Sequence, residues 1–363
     1  SITDIGITGN LWTVNGKFGE GNAKHWKEAQ NRQLKVLIRY KRIAPDNKDQ
    51  FKDELMKYLK AKSPKKQAFK NPIQSGSCLL TDVPDHHLAR LSYGKETGDN
   101  YDIVIAQARF ENATNYFIDE ARYMHKRKPI QEIVFPFGND YFNYDHAKPF
   151  PQTSNGTPQE SDVRHQKMFY VGSSMAVSQI ERASEIAPVR VFIVPGNHDE
   201  QIAFYLGQVL HAWFRNNKRV TVEISPTLRK YHQHGKNMLG FSHGQYESFE
   251  RLFANMAFEE MAMWGATTYK YMYTGHKHHK ETKVRISQTL KEVRYPSNPV
   301  TVTEDLNGVM FDRLGSLTSN DYYESSRGYI HIKGAEAFLF DKELGKMHSF
   351  CYQLPISIHP DNR

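Results

Sequence analysis

Cysteine is nearly absent from this chain of 363 residues: Cys78 and Cys351 are the only two. That is too few for a disulfide framework or for a zinc site built from cysteines. No stretch approaches the roughly 20 apolar residues that a membrane-spanning helix requires, so a membrane is not an expected partner. The opening SITDIGITGN lacks the charged-then-apolar pattern of an export signal. These absences lead to the expectation of a cytoplasmic protein in a reducing compartment. No internal repeat or low-complexity tract is present, and the length suffices for one large domain with an accessory segment.

Charge is spread unevenly. Residues 1–77 carry 16 Lys plus Arg against 7 Asp plus Glu, while the rest of the chain carries 32 against 33. The basic excess therefore belongs to the N-terminal segment. NRQLKVLIRYKRI at 31–43 sets an apolar centre between basic residues and predicts a strand or hairpin. KDQFKDELMKYLKAK at 48–62 places Phe51, Leu55, Met56 and Leu59 at helical spacing. SPKK at 63–66, followed by Asn71 and Pro72, predicts a linker. The expected division is a basic accessory segment over 1–75 and a main domain over 76–363, the part that carries the motifs described below. Such a basic surface suits a polyanion, although lysines on a helix often form only a solvated face. Trp12 and Trp26 could stack on bases or simply anchor packing.

The most informative pattern is a series of His and Asp residues at the ends of short apolar runs. It reads PDHHL at 84–88, FGND at 137–140, VPGNHD at 194–199, FSHG at 241–244 and YTGHKHH at 273–279. Four of the five follow runs rich in β-branched or aromatic residues, at 132–137, 189–194, 238–241 and 269–273, which predict buried strands. Taken singly, a histidine at a strand end is more often a surface or capping residue than a ligand. Together, groups projecting from adjacent strand ends can share one crevice. His86 and His279 fit outer-sphere or solvent-facing positions, and His125, His211 and His232 fit structural ones.

The ordered series resembles the calcineurin-like metallophosphoesterase superfamily, whose pattern runs DxH, GD, GNH(D/E), H, GHxH. The matches are Asp85 with His87, Gly138 with Asp140, the segment 196–199, His243, and Gly275 with His276 and His278. The resemblance covers roughly residues 76–340. YGKETGDNYD at 93–102 and NGTPQESDVR at 155–164 look closest to members encoded by bacteriophages, for which the compartment is the host cytoplasm. Two departures stand out: Asn139 separates Gly138 from Asp140, and Ala89 stands where Gly commonly follows the first motif. Asp82 also competes with Asp85. The D-x-H spacing favours Asp85, because residues two apart on an extended segment share a face.

The resemblance implies two divalent metal ions, Mn foremost, with Fe or Zn also suited to carboxylate, imidazole and amide donors. One ion takes Asp85, His87, Asp140 and His278, and the other takes Asp140, Asn197, His243 and His276. A shared carboxylate offsets the repulsion between the ions. Water at such a pair loses a proton near neutral pH, and the hydroxide attacks phosphorus. His198 is the family's candidate for charge stabilisation or leaving-group protonation, with Asp199 orienting its imidazole.

The implied activity is hydrolysis of phosphodiester bonds in nucleic acid or a nucleotide. A phosphomonoesterase acting on nucleotides, DNA ends or phosphoproteins is the alternative, and a catalytically inactive binding scaffold is the reading from a different class. The polar loop at 143–164 begins just after Asp140 and directs attention to Lys148, Asp162 and Arg164 as substrate contacts, together with Arg327 in SSRGY. The oligomeric state is left open, a homo-oligomer included.

Alternation of apolar strands with helical patterns at 101–125, 160–185, 200–216 and 247–264 predicts an α/β architecture. Short β-rich runs at 300–302, 328–332 and 337–340 predict a second sheet from about residue 283 onward. The family fold is a four-layer αββα sandwich, here with a basic N-terminal α+β extension.

Overall fold

The computed structural model describes residues 2–18, 25–40, 75–286, 289–292, 308–329 and 331–355. The chain separates into two compact units, Ser1–Ser63 and Pro64–Arg363. In the first, β1 (Ile2–Phe18) and β2 (His25–Tyr40) pair antiparallel, with Phe18 opposite His25 and Ile5 opposite Ile38. The strand expected around the apolar centre at 36–38 is the end of a longer hairpin. The helix expected at 48–62 and the linker at 63–72 lie outside the described residues.

The second unit is a mixed α/β assembly. Its first sheet contains β3 (Ser77–Asp82), β4 (Ile130–Gly138), β5 (Val189–Val194) and β6 (Val220–Glu223), parallel to one another. Parallel neighbours need long crossovers. These are supplied by α2 (Ile103–Arg127), α3 (His165–Ser184) and α4 (Glu200–Phe214), with the one-turn α1 (Gly94–Thr97) ahead of them. β7 (Lys230–His234), β8 (Asn237–Phe241), β9 (Tyr269–Thr274), β10 (Glu281–Ile286), β11 (Thr289–Glu292) and β12 (Val309–Arg313) form the second sheet, in the order β11-β10-β12-β9-β8-β7. The last strands, β13 (Gly334–Asp341) and β14 (Gly345–Gln353), return to the first sheet, giving β14-β13-β3-β4-β5-β6. Three short helices complete the described residues: α5 (Phe249–Glu259), α6 (Met261–Ala266) and α7 (Tyr322–Ser326).

Period-two alternation along the strands feeds separate cores. Leu79, Ile133, Val191 and Ile193 join the cluster that contains Phe110 and Phe117 of α2, Ile180 of α3 and Leu206 of α4. Their neighbours Cys78, Leu80, Val134, Phe192 and Val194 cluster instead with Leu239, Phe241, Tyr271 and Tyr273 of the second sheet. Met238, Met272 and Phe311, on the other face of that sheet, pack with Phe249, Leu252 and Met256 of α5. Both faces of each sheet are thus covered, which explains why the strands are near-continuous apolar runs.

Several boundaries depart from the expected ones for local reasons. The helix expected from 101 starts at Ile103, because the Asp102 side chain accepts from the Ile105 amide and caps the helix, a contact worth about 1 kcal/mol. The single helix expected over 247–264 breaks at Glu260, whose φ of −129° and ψ of 51° are not helical. The run at 328–332 is not a strand among its described residues. Gly328 is left-handed after α7, and His331 Nε2 lies 3.2 Å from the Thr318 carbonyl instead of joining a ladder. The run at 300–302 lies outside the described residues. The second sheet begins at β7, well before residue 283. No described helix is long and apolar enough to cross a membrane.

Candidate metal centre

Five strands, β3, β4, β5, β8 and β9, deliver their following turns to one edge of the two sheets. Asp85 N donates to Asn139 O at 2.8 Å and His87 N to Asp140 O at 2.9 Å, so the first two motifs are stitched through their backbones. Asp85 (φ 51°), His87 (47°), Asn139 (58°), Asp140 (60°), His276 (75°) and His278 (55°) all lie in the left-handed region. The expectation of extended segments, with ligands two apart sharing a face, is therefore corrected. Tight left-handed turns, which Asn, Asp and His tolerate better than most residues, aim these side chains.

The turns bring the donor atoms together. His87 Nε2 faces His278 Nε2 at 3.1 Å. Asn197 Oδ1, His243 Nε2 and His276 Nδ1 form a triangle with sides of 2.9, 3.1 and 3.2 Å. Asp140 Oδ2 lies 3.0 Å from His243 Nε2. A ring nitrogen carries at most one hydrogen, so hydrogen bonds cannot satisfy every edge of such a cluster. Donors about 2.1 Å from one small cation lie about 3 Å from each other, and this spacing matches. Asp85, fully buried, has both carboxylate oxygens without a hydrogen-bond partner, a costly state for a lone anion and an ordinary one for a cation ligand.

Three potential ligand groups overlap here: Asp85, His87 and His278; His87, Asp140 and His198; and Asp140, His243 and His276. Asp140 belongs to two of them. The donor set therefore fits divalent cations, and clusters of His and Asp able to hold them are a property of this chain. Glycine at two positions makes the approach possible. A Cβ on Gly196 would stand 2.0 Å from Asp140 Oδ1, and one on Gly275 would stand 2.6 Å from Asp85 Oδ2.

Electrostatics divide the carboxylates. Burial pushes the Asp85 carboxyl up to about 6, against the opposing pull of His278 and His243. For Asp140 the burial effect is outweighed by the His243 and His198 imidazoles and their hydrogen bonds, which hold it below the usual carboxylate range. Burial lowers His87, assisted by Arg90, and takes His276 down to about 4. His243 is the exception: burial lowers it too, but Asp140 and then Asp85 outweigh this and raise it to about 9. A cation taken up there must displace its proton, since only an unprotonated ring nitrogen binds metal.

Outside the donors, the partners differ in part from those expected. The Asp199 carboxylate does not orient His198. It accepts from the amides of Gly196 (3.0 Å), Asp140 (3.3 Å) and Phe142 (3.3 Å), bracing the turns themselves. His198 Nδ1 instead lies 2.8 Å from the Asn143 carbonyl, and its backbone N donates to Asp140 Oδ1 at 2.7 Å. A carbonyl only accepts, so Nδ1 carries the hydrogen and Nε2 is left for chemistry. Asn139, the extra residue of the second motif, places Oδ1 2.7 Å from His243 Nδ1. Glu324 of α7 lies 3.1 Å from His278 Nδ1, and no motif marks it. His86 is fully buried against Tyr101, Phe110 and Tyr141, so it is not solvent-facing. Asp82 lies at the buried end of β3, outside the donor groups.

The loop at 143–164 packs beside Asn197. Ser154 N donates to Asn197 O at 3.0 Å, and Asp145 accepts from the Gln201 and Ile202 amides, so it caps α4 from a distance. Of the expected substrate contacts, Asp162 accepts from Ile103 N at 3.0 Å and so serves the start of α2. Lys148 and Arg164 are exposed, and Arg327 is exposed over the Tyr323 ring. None of the four belongs to the donor groups.

No protein-family model matches the chain, and no curated protein matches it. Among solved structures, a double mutant of Vps29 from Entamoeba histolytica is similar to it with a TM-score of 0.28 and 10% identity, over 76% of this chain and 99% of that one.

Proposed function

We propose that this chain is a metallophosphoesterase of the calcineurin-like type that hydrolyses phosphodiester bonds in nucleic acid or nucleotides. The observation that carries the reading is that Asp140 belongs to two overlapping donor groups, with His87 and His198 and with His243 and His276, as a carboxylate shared by two cations would. Asp85, His87 and His278 would hold one ion, and Asn197, His243 and His276 the other, with Asp140 serving both. Divalent cations there would supply Lewis acidity toward phosphoryl oxygens and a more acidic water. The two sheets, each covered on both faces, support the four-layer αββα arrangement of that family.

The chain's own part in the reaction falls to His198. With Nδ1–H held by the Asn143 carbonyl, Nε2 presents a lone pair that can first take a proton from water, and the resulting imidazolium can pass that proton to the departing oxygen or hydrogen-bond the phosphoryl group. Asp199 contributes indirectly by fixing the Asp140 turn. The basic excess of residues 1–77 supports a polyanionic substrate and an accessory role for that segment.

Hydrolysis of bis-nitrophenyl phosphate, mononitrophenyl phosphate and single- and double-stranded DNA in the presence of Mn tests the proposal, with metal analysis of each protein. Turnover of the diester is expected to require metal. It should fall by about 10²–10⁴ in His198→Ala, which retains its metal, and disappear in Asp140→Asn with loss of metal. Preference for the monoester would overturn the diesterase assignment, and metal-free turnover would overturn the mechanism.

A further inference from the structure

A second group of donors stands at the opposite end of the same strands. Cys78 of β3 and Glu132 of β4 are registered partners of a parallel pair, seven residues before Asp85 and eight before Asp140. At about 3.3 Å per residue the strand portions alone, Cys78 to Asp82 and Glu132 to Gly138, span on the order of 13–20 Å. Registered neighbours project to the same face, here toward the second sheet. On its edge strand β7, His232 and His234 alternate by two and share a face. Register on one sheet and period on the other thus converge on one spot.

The contacts there are close. Glu132 Oε1 lies 2.8 Å from His234 Nδ1 and 3.1 Å from His232 Nε2. The ligand atoms of Cys78, Glu132 and His234 all lie within 4.8 Å of one another. His234 Nε2 faces the Gly76 carbonyl at 3.1 Å. Because that carbonyl accepts only, Nε2 carries a hydrogen, and the neutral ring turns the Nδ1 lone pair toward Glu132 and Cys78. A backbone carbonyl fixing the tautomer in this way is the usual partner of a metal-binding histidine. Cys78 is fully buried while the Glu132 side chain is 18% exposed, so the group is reachable from one side.

We propose that Cys78, Glu132 and His234, with His232 as a fourth donor, form a zinc-type cation site distinct from the main centre. Thiolate, carboxylate and imidazole are together the donors zinc takes, and a single thiol suffices in such a mixed set. Two cysteines in the chain are too few for a cysteine-built site, but this one needs only Cys78. Burial, and then Glu132, push the Cys78 thiol above its usual value against the opposing pull of Arg190, and binding as the thiolate releases its proton. Without a cation, Glu132 would only pair with His232 and His234, whose contacts hold its carboxyl below the usual range against burial, and Cys78 would be a bystander.

Cobalt substitution of the full-length chain separates these arrangements. The main centre offers only nitrogen and oxygen donors, so a thiolate-to-cobalt charge-transfer band in the near ultraviolet reports on the second site alone. Saturation with Co²⁺ is expected to produce this band, Cys78→Ser to abolish it, and Cys351→Ser to leave it intact. Glu132→Gln, nearly isosteric, is expected to weaken the band and to lower zinc content without emptying the main centre. A saturated parent protein lacking the band overturns the proposal whatever the fate of the variants. So does a band that survives Cys78→Ser, or one that Glu132→Gln leaves unchanged.

Discussion

Glu324 Oε1 lies 3.1 Å from His278 Nδ1, while its Oε2 lies 2.8 Å from Arg90 Nη1. Two residues distant in sequence from His278 thereby fix the ring whose other nitrogen meets His87. Burial favours the neutral acid at Glu324, but Arg90 and then His278 outweigh it and keep the group ionised. Glu324→Gln removes that charge while preserving shape. It is expected to weaken metal binding by about 10- to 100-fold, measured by titration against a competing chelator, with activity restored at excess metal.

Gly196→Ala adds one methyl group and is expected to be far more damaging than its size suggests. The new Cβ would meet Asp140 Oδ1 at 2.0 Å and Asp140 N at 2.5 Å, atoms held by the backbone and by Asp199. The variant should lose about 1–3 kcal/mol of stability, the usual range for overpacking, and bind metal poorly. Urea unfolding together with metal content checks both parts.

Asp99 provides a pH test outside the donor groups. Burial raises its carboxyl, but hydrogen bonds from Ser319 and Arg109, the latter at 2.7 Å, bring the net shift down. A carboxyl lowered in the folded state contributes stability above its unfolded value of about 3.9, and this is lost as pH falls through the folded value. Asp99→Asn should therefore cost about 1–2 kcal/mol at pH 7. The gap between parent and variant in urea unfolding should narrow steadily below about pH 4.

Ala89→Gly sets relief of backbone strain against the loss of a core methyl. Ala89 is left-handed with a φ of 76°, beside His87 but outside the donor groups. The strain of about 1–2 kcal/mol for a Cβ in this region exceeds the extra chain entropy of glycine, roughly 0.5–1 kcal/mol. The buried methyl that is lost, worth roughly 0.8 kcal/mol in the main core, offsets what remains, so the urea midpoint should stay nearly unchanged, with unchanged metal content.

The sequence made the strands and their terminal motifs legible because buried parallel strands leave continuous apolar runs, as in 189–194. It did not reveal that the run at 337–340, expected in a second sheet, returns to the first as β13, since its pairing with β3 joins residues more than 250 apart and leaves no local trace. Side chains two apart at Asp85 and His87, or at His276 and His278, suggested an extended backbone, whereas left-handed turns achieve the placement. Asp199 was expected to hold His198 because it is adjacent, yet adjacency says little about where a buried carboxylate finds its donors. Glu324 was invisible for the opposite reason: it reaches His278 only through the return of the chain. Asn139 was an irregularity in the motif and proves to contact His243.

The left-handed turns also set the limits of conservative exchange. Asn, Asp and His are both the residues that enter such turns at low cost and the residues that can face a cation, so each motif position answers to two demands with one side chain. Replacing Asp85 or Asp140 by Glu keeps the charge but gives up the short side chain that suits the turn. Replacing His276 by Gln keeps an amide oxygen donor but gives up both the imidazole nitrogen and a residue that enters the turn at low cost. The alphabet available to these loops is therefore narrower than either coordination chemistry or backbone geometry would dictate alone.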